Sequence, residues 1–498
     1  MNKLSELAAA TLARTIDGPA IEFEGHWYTW ADVRHLADRV CALIDASGAQ
    51  AAAPVVFISR SQAAGIAAFL GLLRTGRTIR MVYPFQSQAG IARDITLLEP
   101  AVVIAASREF GDEVKNTMRE KGIAGIVIRE MDADPLPEFE ASTAALPANP
   151  PTEPQIEILT SGTTGKPKPF AVKHAMLADY FVGSTAKVFG DKEPDAPIPS
   201  LLYYPLGNIS GLYSTLPAML NGHKLIVHDR FTVEGWRDYI VRYRPPASGT
   251  PAAAVQMILD ADLPDEDMAS IRFFSTGAAP LDPRVQRAFE ERYKIPVLLS
   301  YGATEFGGPV TVMSPDLYTE FGQAKFGSVG KPFGGAQLRV VDAETGVELP
   351  AGQEGLIEVI SPKMGPDWIH TSDMAVIDED GFIFLKGRAD GAIMRGGFKL
   401  LPETIERALL GHPAISAVSV VGLPDRRLGQ VPAAAFQLAP GATRPSDAEL
   451  EAHVRELVLA THVPVRWMDV RELPKTVSMK VDRPAVIRLF EQTQAETA

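Results

Sequence analysis

Between residues 55 and 105 short apolar runs alternate with amphipathic stretches, and this alternation limits the fold more than any other feature of the chain. Val55-Val-Phe-Ile58 reads as a buried strand, 63–73 as a helix, 78–82 as a second strand, 89–98 as a helix and 101–105 as a third strand. Strands that alternate with helices over short connections imply right-handed crossovers and a parallel sheet. A surface connection rich in Pro, Ala and acidic residues spans 132–151. The alternation then resumes with a strand at 225–227, a helix at 233–243, a strand at 271–275, a helix at 283–292 opened by Pro283, and a strand at 297–299.

The flanks differ from this core. Residues 21–30 alternate apolar and polar and suggest a hairpin, with Thr29 capping a helix that runs through Asp32, Leu36, Val40 and Ile44. From about Gly327 the strands shorten, at 337–341, 355–360, 375–377 and 382–385, with Gly, Asp or Pro between them. That predicts a compact antiparallel, β-barrel-like region. From Gly391 a smaller α+β unit follows, with a helix from Pro402, strands at 416–421 and 433–437, and a helix at 447–459. At 498 residues the chain exceeds one compact core. The expected fold class is α/β: two α/β lobes and a small β-barrel-like region, followed by a small α+β domain.

The formal net charge of −13 excludes nucleic acid as a main partner, because no basic surplus neutralises phosphates. A single cysteine, Cys41, sits in an amphipathic stretch and reads as a buried structural thiol in a reducing, cytoplasmic setting. The first residues show no apolar signal core. Residues 201–220 carry no charge over a membrane-spanning length, but Pro205, Gly207, Asn208, Gly211 and Pro217 make them protein interior, with no membrane span.

Thr160-Ser-Gly-Thr-Thr-Gly-Lys-Pro-Lys168 packs hydroxyls, glycines and two lysines into nine residues. Glycines let an anion approach backbone N–H groups, and Lys166 and Lys168 add charge, which is the chemistry of a polyphosphate site. It is not a Walker A loop, since two residues separate its glycines and Pro167 follows Lys166. Taken alone, such a cluster is equally a surface turn. The apolar run 156–159 leads into it, and α/β folds place ligand sites at strand ends. Ser275-Thr-Gly-Ala-Ala-Pro280 follows a strand, and alone is a tight turn that leaves room for a flat group. In Ser300-Tyr-Gly-Ala-Thr-Glu305 a tyrosine can stack on a purine, a hydroxyl can reach a phosphate and a carboxylate can hold Mg²⁺; the plain alternative is a helix start capped by Thr304. Asp373 and Lys480 alone would be a turn residue and a solvated charge.

Together these segments resemble the adenylate-forming superfamily of acyl-CoA synthetases, luciferases and peptide-synthetase adenylation domains, over nearly the whole chain. The patterns [ST]-[ST]-G-[ST]-T-G-x-P-K, G-[AG]-A-P, Y-G-x-T-E, T-[GS]-D, G-R-x-D and L-P-[KR]-T-x-[ST]-G-K are met in order between Thr160 and Lys480. The resemblance implies that Thr160, Ser161, Gly162, Thr163 and Gly165 hold phosphates and that Thr164 and Lys168 neutralise charge during reaction. It further implies that Gly277, Ala278 and Ala279 line the adenine, Tyr301 stacks on it, Thr304 meets the α-phosphate and Glu305 binds Mg²⁺. Asp373 would accept both ribose hydroxyls, backed by Arg388. Lys480 would bridge carboxylate and α-phosphate, with Arg483 completing its motif. Asp390 would be the hinge between an adenylation domain at 1–389 and a mobile lid domain at 390–498. After the lid turns, Gly396-Gly-Phe-Lys399 would enter the site and Lys399 would contact coenzyme A. The family's Gly in the last motif is Met479 here, which stiffens that loop.

The acyl pocket departs from the family pattern P-[LM]-[FY]-H-x-x-G. Gly207 and Asn208 replace its aromatic residue and His, which reshapes the wall; Asn208 either reads a polar substituent or satisfies a turn. Gly302 lies where acetate-type enzymes place Trp, so a longer acyl group is expected, with Gly277 also at the substrate. The expected activity is ATP-dependent conversion of a small carboxylic acid to acyl-AMP, then transfer to coenzyme A, with ATP, Mg²⁺ and coenzyme A required. A carrier-protein thiol or an amine remains open as acceptor, as do self-association and, remotely, a scaffold without activity or a kinase.

Overall fold

The computed structural model describes the chain except residues 1, 15–16, 148, 162–166, 183–197, 278, 390, 396–397, 426–427, 459, 477–478 and 498. The alternation at 55–105 builds a seven-stranded sheet. Its order is Asp132–Pro135, Ala124–Arg129, Val102–Ala106, Val55–Ile58, Ile79–Met81, Gln155–Ser161 and Pro167–Lys173. The inner strands pair in parallel and the two edge strands pair antiparallel. Val55, Val102 and Ile79 are fully buried, as continuous apolar runs covered on both faces should be. Each such side chain stabilises the lobe by roughly 1.5–3 kcal/mol.

Helices Trp30–Ala46 and Ala63–Thr75 cover one face. They cross closely at Gly71, where a Cβ would lie 2.8 Å from Ala37 O. Thr29 caps the first helix in a reciprocal box with Asp32. Cys41 is half-buried, with Sγ 3.3 Å from Gly71 O, and burial pushes its thiol pKa up. One charged pair lies inside the sheet: Arg80 Nε donates to Glu157 Oε2 at 2.8 Å, from directly paired positions.

The second lobe uses two sheets. The expected hairpin, Pro19–Phe23 with His26–Thr29, joins Leu225–Val227 in parallel, and Ser200–Leu202 extends that sheet. The other sheet runs Ala247–Pro251, Phe273–Gly277, Val297–Ala303, Gly308–Val312 and Lys331–Pro332. The barrel-like region is an open antiparallel sheet of Gln337–Val341, Glu354–Ile360, Ile369–Ile377 and Ile383–Arg388 that does not close on itself. A separate C-terminal sheet has Ile393–Arg395 between Phe398–Leu400 and Gly429–Leu438. Ile415–Asp425 and Arg466–Asp469 also pair with Gly429–Leu438. Helices Pro402–Leu410 and Asp447–Leu457 begin where the sequence places them.

Three elements differ from expectation. The connection at 132–151 begins with a strand, Asp132–Pro135, because its backbone completes the edge beside Ala124–Arg129. The N-terminus forms helix Lys3–Leu12, capped by Asn2. The uncharged run 201–220 divides into strand Ser200–Leu202 and helix Ile209–Leu220, which contains Pro217. Among the described residues no helix is long and apolar enough to cross a membrane.

Candidate active site

The strands that flank the glycine-threonine stretch pair with each other. Thr160 pairs with Lys168 and Ser161 with Pro167, between strands Gln155–Ser161 and Pro167–Lys173. This antiparallel pair lies at the sheet edge, and Lys168 is exposed. Gly162, Thr163, Thr164 and Gly165 lie outside the described residues, as do Ala278, Asp390 and the side chains of Thr160, Ser161 and Lys399.

Strand Val297–Ala303 delivers Tyr301, and strand Ile369–Ile377 delivers Asp373. Tyr301 Oη donates to Asp373 Oδ2 at 2.5 Å. Burial, and then the Asp373 carboxylate, push the Tyr301 pKa well above the ordinary phenol value, so the ring stays neutral and the hydroxyl stays a donor. Asp373 is directly paired with Arg388 across the strands. Arg388 Nη1 lies 3.4 Å from Asp373 Oδ1, and Nη2 donates to Ser372 Oγ at 2.7 Å. Asp373 N also donates to Thr371 Oγ1 at 3.0 Å. The sequence reading missed Ser372 as a partner of Arg388. The cue was the serine in T-S-D, next to the residue paired with Arg388.

Thr304 and Glu305 sit on the short turn Thr304–Phe306 that follows Tyr301. Thr304 does not cap it; Ala303 holds that position without a side-chain bond. Glu305 is exposed. Among the described residues no group of three His, Cys, Asp or Glu is arranged to hold a metal. A lone exposed carboxylate fits Mg²⁺ that takes its other ligands from phosphates and water.

Lys480 comes to the same place from the far end of the chain. Burial lowers its pKa and the charge of Arg388 lowers it further, while Asp373 and Glu305 oppose the shift. Four residues from separate segments thus act on one another electrostatically. The Lys480 loop is pinned at both sides. Thr476 N donates to Lys480 O at 2.6 Å, and Arg483 Nη2 donates to Glu403 Oε1 at 2.8 Å and Glu406 Oε1 at 3.3 Å. Met479, where the family pattern has Gly, takes the left-handed φ of +63°. The conformation the loop needs is the one Gly would adopt freely, and a methionine adopts it at a cost of order 1 kcal/mol.

Gly277 faces Ser300, and a Cβ there would meet Ser300 Oγ at 2.3 Å. Asn208 caps helix Ile209–Leu220, with Oδ1 accepting from Gly211 N at 2.7 Å. Gly207 borders Tyr83 at ordinary contact distance. A Cβ on Gly302 would lie 2.5 Å from Gly308 O and 2.6 Å from Pro309 Cα, so Gly302 permits close approach of the adjoining strand Gly308–Val312. A separate cavity of about 410 Å³, lined in part by Phe23, His26, Arg60, Arg108 and Glu109, shares no residue with this constellation.

The chain resembles known proteins over most of its length. The AMP-binding enzyme family matches residues 8–366, and the AMP-binding enzyme C-terminal domain matches 404–480. Sulfoacetate–CoA ligase of Cupriavidus necator is 29% identical over 392 residues, covering 74% of each chain. 4-Coumarate–CoA ligase 1 of Petroselinum crispum is 27% identical over 487 residues, covering 92% of this chain and 88% of the relative. The crystal structure of ATP-bound MatB from Rhodopseudomonas palustris shares the fold, with a TM-score of 0.81, 23% identity and 99% coverage of both chains. With a family match over most of its length, the chain belongs to the AMP-binding enzyme family of adenylate-forming ligases.

Proposed function

We propose that this protein is an AMP-forming acid–thiol ligase that activates a small carboxylic acid with ATP and passes the acyl group to coenzyme A. The observation that carries the reading is the meeting of Tyr301, Asp373, Arg388 and Lys480, drawn from segments almost two hundred positions apart, around one space. Tyr301 stacks on the adenine, Asp373 accepts the ribose hydroxyls and Arg388 holds Asp373 in place. The turn at 160–168 cradles the phosphates, with Thr164 and Lys168 nearest the reacting group, and Thr304 donates to the α-phosphate.

The substrate carboxylate attacks the α-phosphorus in line. The bond to the β-phosphate oxygen breaks, and pyrophosphate leaves with the electron pair. No protein nucleophile is needed, so catalysis is positioning and charge neutralisation. The Lys480 ammonium stabilises negative charge shared between carboxylate and α-phosphate. Glu305 would hold Mg²⁺, which supplies further neutralisation of the phosphates when bound. In the second step the domain at 390–498 turns about Asp390 against the domain at 1–389. Lys480 withdraws, Lys399 meets coenzyme A, and the thiol sulfur attacks the acyl carbon and releases AMP.

The named relatives are CoA ligases for a sulfonated acid and for an aromatic acid, which supports coenzyme A as acceptor. The test is carboxylate-dependent exchange of pyrophosphate into ATP over a broad acid panel, followed by coenzyme A-dependent AMP release. AMP and pyrophosphate are the expected products. ADP would indicate a kinase, exchange with transfer only to an amine or a carrier thiol would replace the acceptor, and no exchange with any acid would overturn the reading.

A further inference from the structure

Lys363 follows strand Glu354–Ile360 in a tight turn. Met364 N donates to Ser361 O at 2.8 Å, and Ser361 Oγ fastens the turn to Phe306 O at 2.7 Å, beside Glu305. The side chain does not point to bulk water. It is half-buried, and its Nζ donates to Pro309 O at 2.7 Å and lies 6.0 Å from the centre of the Tyr213 ring. A Cβ built on Gly308 would sit 3.8 Å from Nζ and 3.4 Å from the Tyr213 ring. One on Gly307 would touch Met176, Met364 and the Lys363 stem.

These neighbours are the far wall of the acyl site in the ligase reading. Pro309 is the strand partner of Gly302, one residue beyond Tyr301. Tyr213 lies on the helix that Asn208 caps. An ammonium carries three donors, and a single carbonyl takes one. Among the described residues no carboxylate lies within ion-pair distance of Lys363. Lysines are seldom buried without a charged partner, because the lost hydration must be replaced. Burial lowers its pKa to about 8.

We infer that Lys363 is the specificity-determining cation of the acyl pocket, and that the acid this enzyme takes carries a second anionic group, a carboxylate or sulfonate, at the end remote from the carboxylate it activates. The inference rests on the ligase reading above. The second anion accepts from the free N–H groups of Lys363, with Tyr213 and the methionines excluding water around the pair. An uncharged tail leaves the ammonium buried and unpaired, which is how a polar site rejects an analogue lacking the matching group.

The test pairs acids of equal chain length, succinate with butyrate and glutarate with valerate, in the pyrophosphate-exchange assay. The wild-type enzyme is expected to favour the dianion of each pair. K363M is expected to lower kcat/KM for the dianions by roughly 100-fold, mostly through KM, and to raise it for the uncharged tails. K363R keeps the charge and is expected to keep the preference. A wild-type preference for uncharged tails overturns the inference without any variant. Equal loss on both members of each pair in K363M overturns it as well, since a structural lysine would not distinguish tails. In both cases exchange persists and the ligase reading stands, whereas absence of exchange with every acid overturns that reading and this inference with it.

Discussion

Tyr301 and Asp373, 72 positions apart, share a 2.5 Å hydrogen bond in which the phenol donates to the carboxylate. The bond fixes the plane of a proposed adenine platform relative to a proposed ribose acceptor. Tyr301→Phe keeps the ring and removes this restraint, so KM for ATP should rise about fivefold with kcat little changed, the worth of about 1 kcal/mol. Asp373→Asn removes the charge that both Tyr301 and Arg388 address, and its loss should be larger, on the order of 10–100-fold in kcat/KM for ATP. Steady-state exchange kinetics measure both. A Tyr301→Phe effect equal to that of Asp373→Asn would contradict this ordering.

Lys480→Ala should slow adenylation by about 100–1,000-fold yet spare thioester formation from supplied acyl-AMP. Equal loss in both half-reactions would contradict withdrawal of the lysine between them. The pH profile adds an independent reading. Burial and then Arg388 lower the Lys480 pKa, against the pull of Asp373 and Glu305, and the protonated form is the active one. Adenylation should therefore decline as pH rises through a value below the ordinary lysine range. Arg388→Gln, which removes one of the lowering charges, should move that alkaline limb upward.

Motifs of consecutive residues made most of this site legible before any coordinates. Tyr301, Glu305, Asp373, Arg388 and Lys480 each sit in a short run whose spacing is set by one strand end or turn. The alternation at 55–105 likewise announced the parallel sheet, because strands covered on both faces are apolar throughout. What stayed hidden depended on contacts between distant segments. Strand Pro167–Lys173, which the sequence reading did not foresee, forms through pairing with Gln155–Ser161. The close approach of Gly308 and Pro309 that Gly302 permits left no local signal. Lys363 lies between Pro362 and Met364 with no local pattern, and its burial depends on Tyr213 and Pro309.

Met479 holds the left-handed φ of +63° immediately before Lys480. A β-branched residue is a strong outlier in that conformation. Met479→Ile should shift the loop and cut adenylation by at least tenfold, whereas Met479→Gly should keep the rate near wild type. Thioester formation from supplied acyl-AMP should change little in either variant. Comparable adenylation rates for the isoleucine and glycine variants would show that this backbone conformation is not what aims Lys480.

His174 is 1% exposed, and its Nδ1 lies 3.2 Å from Asn2 Nδ2, the residue whose Oδ1 caps helix Lys3–Leu12. Asn2 donates there, so Nδ1 accepts and the imidazole is neutral, and burial holds its pKa at about 4. In the unfolded chain the same group takes up a proton near pH 6.5. Between those values the unfolded state binds more protons than the folded one. Stability is therefore intact above about pH 6.5 and falls as the pH drops towards 4, by about 1.4 kcal/mol per pH unit and roughly 3 kcal/mol in all. His174→Gln removes the titration but not the packing volume. Its denaturation midpoint should lie below wild type at pH 7.5, and the gap should narrow by the equivalent of about 2 kcal/mol at pH 5. A gap that stays constant from pH 7.5 to 5 would mean that His174 takes up its proton at the same pH in the folded and unfolded chains, and so that burial does not hold it neutral.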